Sequence, residues 1–387
     1  MTVGVAGDPV RLLKDLIACP SVTPEAAGAL DVLDRALGAI GFSVTRLRFE
    51  GDGSYPVDNL FAIRGTGGRR LLFAGHTDVV PPGERALWTD DPFKPREADG
   101  KLYGRGAADM KSGIAAFIAA AAAIPPDAGT VMLAITNDEE ADAINGTDKL
   151  MAWAKDHQHH FDFAIVGEPS SAALLGDSIK IGRRGSFSGV VTVSGTQGHV
   201  AYPDRANNPL PALARIVTAL SDTTIDTGTT HFPASNLEVT SIDVGNTVSN
   251  VIPAAGSIRF NIRYNDLWTP ETLAEWVRDR IASVDHAGAS VTFTISGVPS
   301  RSFLSPLSDD VETLSNAIAA VTGRRPDLST GGGTSDARFI AQYGPVVECG
   351  LVGPSMHKAD EHIALSDLTG LTEIYRTFMT QFFGAAA

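Results

Sequence analysis

Residues 70–80 read RLLFAGHTDVV: an apolar run that ends in a histidine, a threonine and an aspartate. Its apolar part is short and continuous, as in a strand buried inside a sheet, and its polar end marks where such a strand emerges. GTVMLAIT (129–136) and FAIVGE (163–168) repeat the pattern, and MKSGIAAFIAAAAAI (110–124) lies between the first two as an alanine-rich helix. Strands alternating with helices predict an α/β fold, with a mixed, largely parallel sheet flanked by helices. The polar residues gather just past the strand ends, where open α/β sheets build their sites. Nearer the start, Asp8-Pro9 predicts a capped helix to about Ala18, and Thr23-Pro24 predicts a second that stops at Gly41. The closing segments predict helices at 307–323 and near 366–383.

The pattern changes near residue 185. FSGVVTVSG (187–195), PLPALARIVTALS (209–221), LEVTSIDVG (237–245), GSIRFNIRYN (256–265), TPETLAEWVRDRIASV (269–284) and ASVTFTISG (289–297) follow one another as strand, helix, strand, strand, helix, strand. That is the split βαβ, ferredoxin-like order. Residues 185–297 therefore read as an inserted α+β domain between two parts of a larger one, 1–184 and 298–387.

At 387 residues, with 43% hydrophobic and 20% charged residues, the chain has the composition of a soluble globular protein with room for two domains. A net charge of −14 argues against non-specific binding to nucleic acid. No stretch is long and apolar enough to predict a membrane span, and the N-terminal sequence predicts no secretory signal. Cys19 and Cys349 are the only cysteines, which fits a reducing, cytoplasmic setting.

Five segments carry metal-type ligands: GHTDVV (His76, Asp78), GRGAADMK (Asp109), NDEEAD (Glu139, Glu140), GEPS (Glu168) and MHKADE (His357). Singly, each is an ordinary polar loop; together they sit where an α/β sheet builds a site. Two residues apart, His76 and Asp78 are expected on one side of the strand, so that the carboxylate fixes the imidazole tautomer. Adjacent side chains diverge, so Glu139 and Glu140 cannot serve one ion alike. If one ligates a metal, its neighbour can lean over the metal's water as a general base. Asp109, Glu140 and Glu168 carry three negative charges and a bridging hydroxide a fourth, which two divalent ions cancel. Two histidines and three carboxylates serve two ions if one of them bridges. Histidine with carboxylate suits zinc, with cobalt or manganese as substitutes.

These segments resemble the di-zinc aminoacylase and carboxypeptidase family. The likeness runs through GHTDVVP, LYGRGAADMK, DEEA, VGEPSS, GRRGS, QGHVAYP, NVIPA, FNIRY, GGGTSDARF and HKADE, which span nearly the whole chain. It implies a di-zinc exopeptidase-like catalytic domain with an inserted dimerisation (lid) domain, hence a homodimer. It implies His76 and Glu168 on one zinc, Glu140 and His357 on the other, Asp109 bridging, Glu139 as general acid/base and Asp78 behind His76. His199 of QGHVAYP would reach the site of the second subunit and bind the reacting carbonyl. Arg183, Ser186, Tyr202, Asn250, Arg263, Gly332, Gly333, Thr334 and Ser335 would line the substrate site. GRRGS, QGHVAYP and GGGTSD imply hydrolysis of the amide of N-succinyl-LL-2,6-diaminopimelate, a step toward lysine and cell-wall diaminopimelate. Acetylornithine deacylation or dipeptide cleavage is the alternative on the same metals. Ala337 stands where that family often has glycine, and the loop before His357 differs in length.

Other motif readings fail. GRGAAD (104–109) has Asp109 where a dinucleotide fingerprint needs a small residue, and GGGTSD lacks the lysine of a phosphate loop. His157, His159 and His160 lie in a polar stretch and read as solvated surface.

Overall fold

The computed structural model describes residues 5–384. The chain forms two compact units: one runs to Ile181 and resumes at Ser305–Ser329 and from Ser335 onward, and the other comprises Gly182–Leu304 and Thr330–Thr334.

The larger unit is built on an eight-stranded sheet in the order Ser43–Gly51, Ser54–Arg64, Thr130–Thr136, Arg70–His76, Phe163–Val166, Val346–Glu348, Ser178–Lys180, Asp327–Ser329. The two leading strands are antiparallel, and the middle of the sheet is parallel. Arg70–His76 is the central strand of the site. It pairs in parallel with Thr130–Thr136 on one side, with His76 opposite Thr136, and with Phe163–Val166 on the other. Every residue of Thr130–Thr136 and Phe163–Val166 is buried, as expected where helices cover both faces. The expected mixed, largely parallel α/β sheet is thus present.

The helix Ser112–Ala122 is apolar on all sides and is correspondingly buried. Phe117 stacks on Phe73 at 4.2 Å, and Tyr375 of the C-terminal helix Leu365–Phe383 meets both rings edge-on. Gly113 lets this helix approach the strand end that carries Glu168: a Cβ at 113 would collide with the Gly167 carbonyl. Gly113→Ala is expected to destabilise the fold by about 1–3 kcal/mol through overpacking, read as a lower denaturant midpoint at unchanged slope.

Asp8 caps Pro9–Ile17 as expected, its carboxylate accepting from the Val10 and Arg11 amides. The second helix is a correction: it runs Ala29–Ala39, not from Pro24. The Thr23 hydroxyl is committed elsewhere, donating to Asp78 Oδ2 at 2.7 Å, and so does not cap a helix.

The smaller unit contains a four-stranded antiparallel sheet ordered Asn236–Asp243, Ala255–Tyr264, Gly185–Ser194, Ser290–Ser300. With helices Leu210–Ser221 and Pro270–Ala282, this is the ferredoxin-like arrangement. Ile258, Phe260, Ile262 and Tyr264 share one face of a central strand, as their alternation predicts, and pack with Leu213, Ile216, Leu273 and Val277.

Candidate metal centre

Three adjacent parallel strands deliver the acidic and imidazole groups at their carboxyl ends: His76 ends the first, Glu139 and Glu140 follow the second, and Glu168 follows the third. Asp109 comes from the segment before the buried helix, where its backbone is extended (φ −120°, ψ 104°), and His357 from a late loop in a left-handed conformation (φ 61°).

The five expected ligands converge. His76 Nε2 lies 3.2 Å from Asp109 Oδ1 and 3.5 Å from Glu168 Oε1. His357 Nε2 lies 3.3 Å from Asp109 Oδ2 and 3.1 Å from Glu140 Oε1. The two oxygens of Asp109 thus face different histidines, each with its own glutamate. The doublet falls in two groups: Glu140 has an oxygen within 4.8 Å of ligand atoms of His76 and Asp109, and Glu139 has one within 4.8 Å of ligand atoms of His76 and Glu168.

Asp78 departs from expectation. His76 Nδ1 sits 2.9 Å from the Asp78 backbone carbonyl and 3.6 Å from its carboxylate, so the carbonyl holds the imidazole. The strand ends at His76, and the two-residue alternation does not extend past it. The fully buried Asp78 carboxylate instead accepts from the Glu139 amide (3.1 Å), the Glu140 amide (3.1 Å) and Thr23 Oγ1. It fixes the turn that splays the two glutamates apart. Asp78→Ala would leave those amides unpaired and is expected to cost about 1–3 kcal/mol, measurable by urea unfolding. Asp138, at the head of the same acidic run, is also buried and structural: it accepts from Tyr55 Oη at 2.5 Å and from the Ile144 and Asn145 amides.

The electrostatics report a demand for positive charge. Burial opposes charge on His76, yet hydrogen bonds to Asp109 and Glu168 lift it well above an ordinary imidazole. Hydrogen bonds to Asp109 and Glu140 raise His357 to about 10. Burial is worked against at Asp109 too, where His357 and His76 hold the carboxyl well below the usual range. Burial and the Asp109 charge push Glu168 up to about 7. Burial, then the Glu168 charge, pushes Glu139 well above the usual carboxylate range. Two imidazoles set among buried carboxylates make a donor set that fits divalent metal ions.

The remaining expected residues divide between the two units. Arg183, Ser186, His199, Tyr202, Asn250, Arg263, Gly332, Gly333 and Thr334 belong to the smaller unit. Arg183 is buried, with Nη1 3.3 Å from the Gly331 carbonyl. Ser186 and Arg263 are register partners, and Ser186 Oγ accepts from Asn261. His199 is exposed, its strand pairing with Val251–Ile252, and the Asn250 carbonyl accepts from the Val200 amide. Exposed Tyr202 lies beside it, ring centroids 5.7 Å apart. Ser335, in the larger unit, donates to buried Glu348. Ala337 is buried at the start of a short helix with no left-handed backbone, so its methyl is accommodated. His157 and His160 are exposed, and His159 stacks on Phe61 at 4.8 Å. Glu361, inside the HKADE motif, was not singled out from sequence, although it is fully buried against the Asp109 segment.

Fold and cluster together define a hydrolase of the metal-dependent exopeptidase type, and the chain belongs to Peptidase family M20/M25/M40, whose pattern it matches over residues 72–381. It is 52% identical over 386 residues to the succinyl-diaminopimelate desuccinylase of Rhodospirillum centenum, covering 99% of each chain. Among solved structures, a tripeptidase from Staphylococcus aureus superposes with a TM-score of 0.78 at 17% identity, covering 98% of this chain and 99% of that one. A dinuclear metal-binding peptidase of the M20 family from Bacillus subtilis superposes with a TM-score of 0.69 at 15% identity, covering 98% of both.

Proposed function

We infer that this protein hydrolyses the amide bond of N-succinyl-LL-2,6-diaminopimelate to succinate and LL-2,6-diaminopimelate, a step toward lysine and meso-diaminopimelate. The observation that carries this reading is near-full-length identity of 52% to a desuccinylase, joined to an intact ligand cluster. His76 and Glu168 would hold one divalent ion, Glu140 and His357 a second, with Asp109 between them; zinc suits the donors best, and cobalt can replace it. Bound there, the two ions supply a water acidified to a pKa of roughly 7 and a Lewis acid for the amide carbonyl.

The chain's own residues do the rest. Glu139 takes the proton of the attacking water on its free carboxylate and returns it to the leaving nitrogen. Its upward shift, caused by burial and then the Glu168 charge, suits a group that must both accept and donate. Asp78 keeps Glu139 aimed by holding its amide. Arg183 and Arg263 supply positive charge for the substrate's carboxylates in an otherwise acidic protein.

His199 acts on the reacting carbonyl in the site of a second copy, in a homodimer formed through the smaller unit. Its Nδ1 accepts from the Ala201 amide at 3.0 Å, which leaves Nε2–H as an outward donor, the state an oxyanion needs. Strand Asn236–Asp243 is an edge of its sheet and exposes Ile242, which suits contact between copies. His199→Ala is expected to lower kcat by about 10²- to 10³-fold with little change in KM, measured by steady-state assay of a variant shown to be dimeric by sedimentation. No helix among the described residues is long and apolar enough to cross a membrane, and two free cysteines suit a cytoplasmic enzyme. Turnover of N-succinyl-LL-2,6-diaminopimelate against acetylornithine and dipeptides tests the substrate: preference for either alternative would overturn the reading.

A further inference from the structure

Four residues beyond His357, Glu361 is buried against the Asp109 segment. Its carboxylate is 0% exposed and receives four donors, two on each oxygen. Oε1 accepts from the Ala108 amide at 2.8 Å and the Asp109 amide at 3.2 Å. Oε2 accepts from the Gly106 amide at 3.0 Å and from Arg105 Nη1 at 2.7 Å. The Glu361 backbone carbonyl accepts from the Gly104 amide at 2.9 Å, and His362–Ala364 pairs as a strand with Lys101–Tyr103. Asp360 adds a further tie, taking the Thr89 amide and hydroxyl.

A buried carboxylate needs such partners to stay charged. These partners are not scattered: three of the four are backbone amides within residues 106–109, the segment that presents Asp109, and the fourth is that segment's own arginine. The loop bearing His357 and the segment bearing Asp109 are therefore tied at the Glu361 carboxylate, next to the strand pairing that joins their flanks. His357 and Asp109 are distant in sequence, and among the contacts between their segments the Glu361 carboxylate is the one that reaches the Asp109 amide itself.

We propose that Glu361 is a positioning residue that joins the Asp109 and His357 segments into one half-site before any metal arrives, so that the ion shared by Asp109, Glu140 and His357 meets preorganised ligands. This rests on the two-ion reading above. Ligand orientation of this kind is ordinarily worth about 10- to 100-fold in metal affinity.

Glu361→Gln preserves volume but turns an NH₂ toward donors on one side of the clamp. Titrating zinc into metal-free wild type and variant, with stoichiometry read by calorimetry, separates the outcomes. The expectation is two ions bound by wild type, and in the variant the ion at Glu140 and His357 weakened about 10- to 100-fold, more than the ion at His76 and Glu168, with activity restored by excess zinc at unchanged KM. A wild type that binds fewer than two ions overturns the two-ion reading itself. A variant that binds both ions like wild type, or weakens both equally without rescue, overturns the role of Glu361. Amide hydrogen exchange on metal-free wild type covers a variant that does not fold. Gly106, Ala108 and Asp109 amides should already be protected without zinc, and protection that appears only on adding zinc would overturn the proposal.

Discussion

Replacing Glu139 by glutamine is expected to cut kcat by about 10²- to 10⁴-fold while leaving both metal equivalents in place. The expectation follows from the divergence of the doublet. Glu140 reaches His357 at 3.1 Å, whereas Glu139 groups with Glu168 and, among the described residues, hydrogen-bonds to neither imidazole. Asp78 enforces the split by taking both backbone amides of the doublet. Glutamine fills the same volume and cannot carry a proton from water to nitrogen. Metal analysis of the purified variant beside its steady-state rate distinguishes a proton carrier from a ligand: loss of one ion along with activity would make Glu139 a ligand.

Metal binding is expected to weaken steeply in acid. In the metal-free protein, hydrogen bonds to Asp109 and Glu140 raise His357 to about 10, and burial with the Asp109 charge raises Glu168 to about 7. His76 is shifted upward as well. The upward shifts leave both imidazoles holding protons near neutrality, and incoming cations must displace those two; Glu168, part-protonated there, adds to the loss in acid. Each displaced proton changes log Kd by about one per pH unit. With two protons released, affinity should fall about 10⁴-fold between pH 7.5 and 5.5, and the lost activity should return on adding metal. Calorimetry in buffers of different ionisation enthalpy counts the protons directly, and a pH-independent affinity would show that the cluster is not the binding site. Chelation at neutral pH should abolish hydrolysis reversibly.

What could be read from sequence follows from which interactions are local. The RLLFAGH and GTVMLAIT runs announce buried strands because burial on both faces leaves no room for polar residues, and their polar ends locate the site. The alternation of Ile258, Phe260, Ile262 and Tyr264 likewise marks a one-faced strand in the smaller unit. The errors arise where a side chain is claimed from a distance. Thr23 looks like a helix cap, but its hydroxyl serves Asp78, 55 residues away. Asp78 does lie behind His76, with its carboxylate 3.6 Å away, but that its carboxylate also serves the glutamate turn has no local signal. Glu361 gave no signal beyond its place in HKADE, because its partners lie some 250 residues upstream. Periodicity records faces and capping motifs record ends; neither records which distant amide a buried carboxylate will find.

The central claim is that two ions sit in one cluster with Asp109 between them. Anomalous diffraction from zinc-soaked crystals, collected on both sides of the zinc edge, tests it most directly. Two peaks are predicted, one flanked by His76, Glu168 and Asp109 and the other by Asp109, Glu140 and His357, with Glu139 bound to neither. A single peak, or a pair of peaks away from Asp109, would contradict the account.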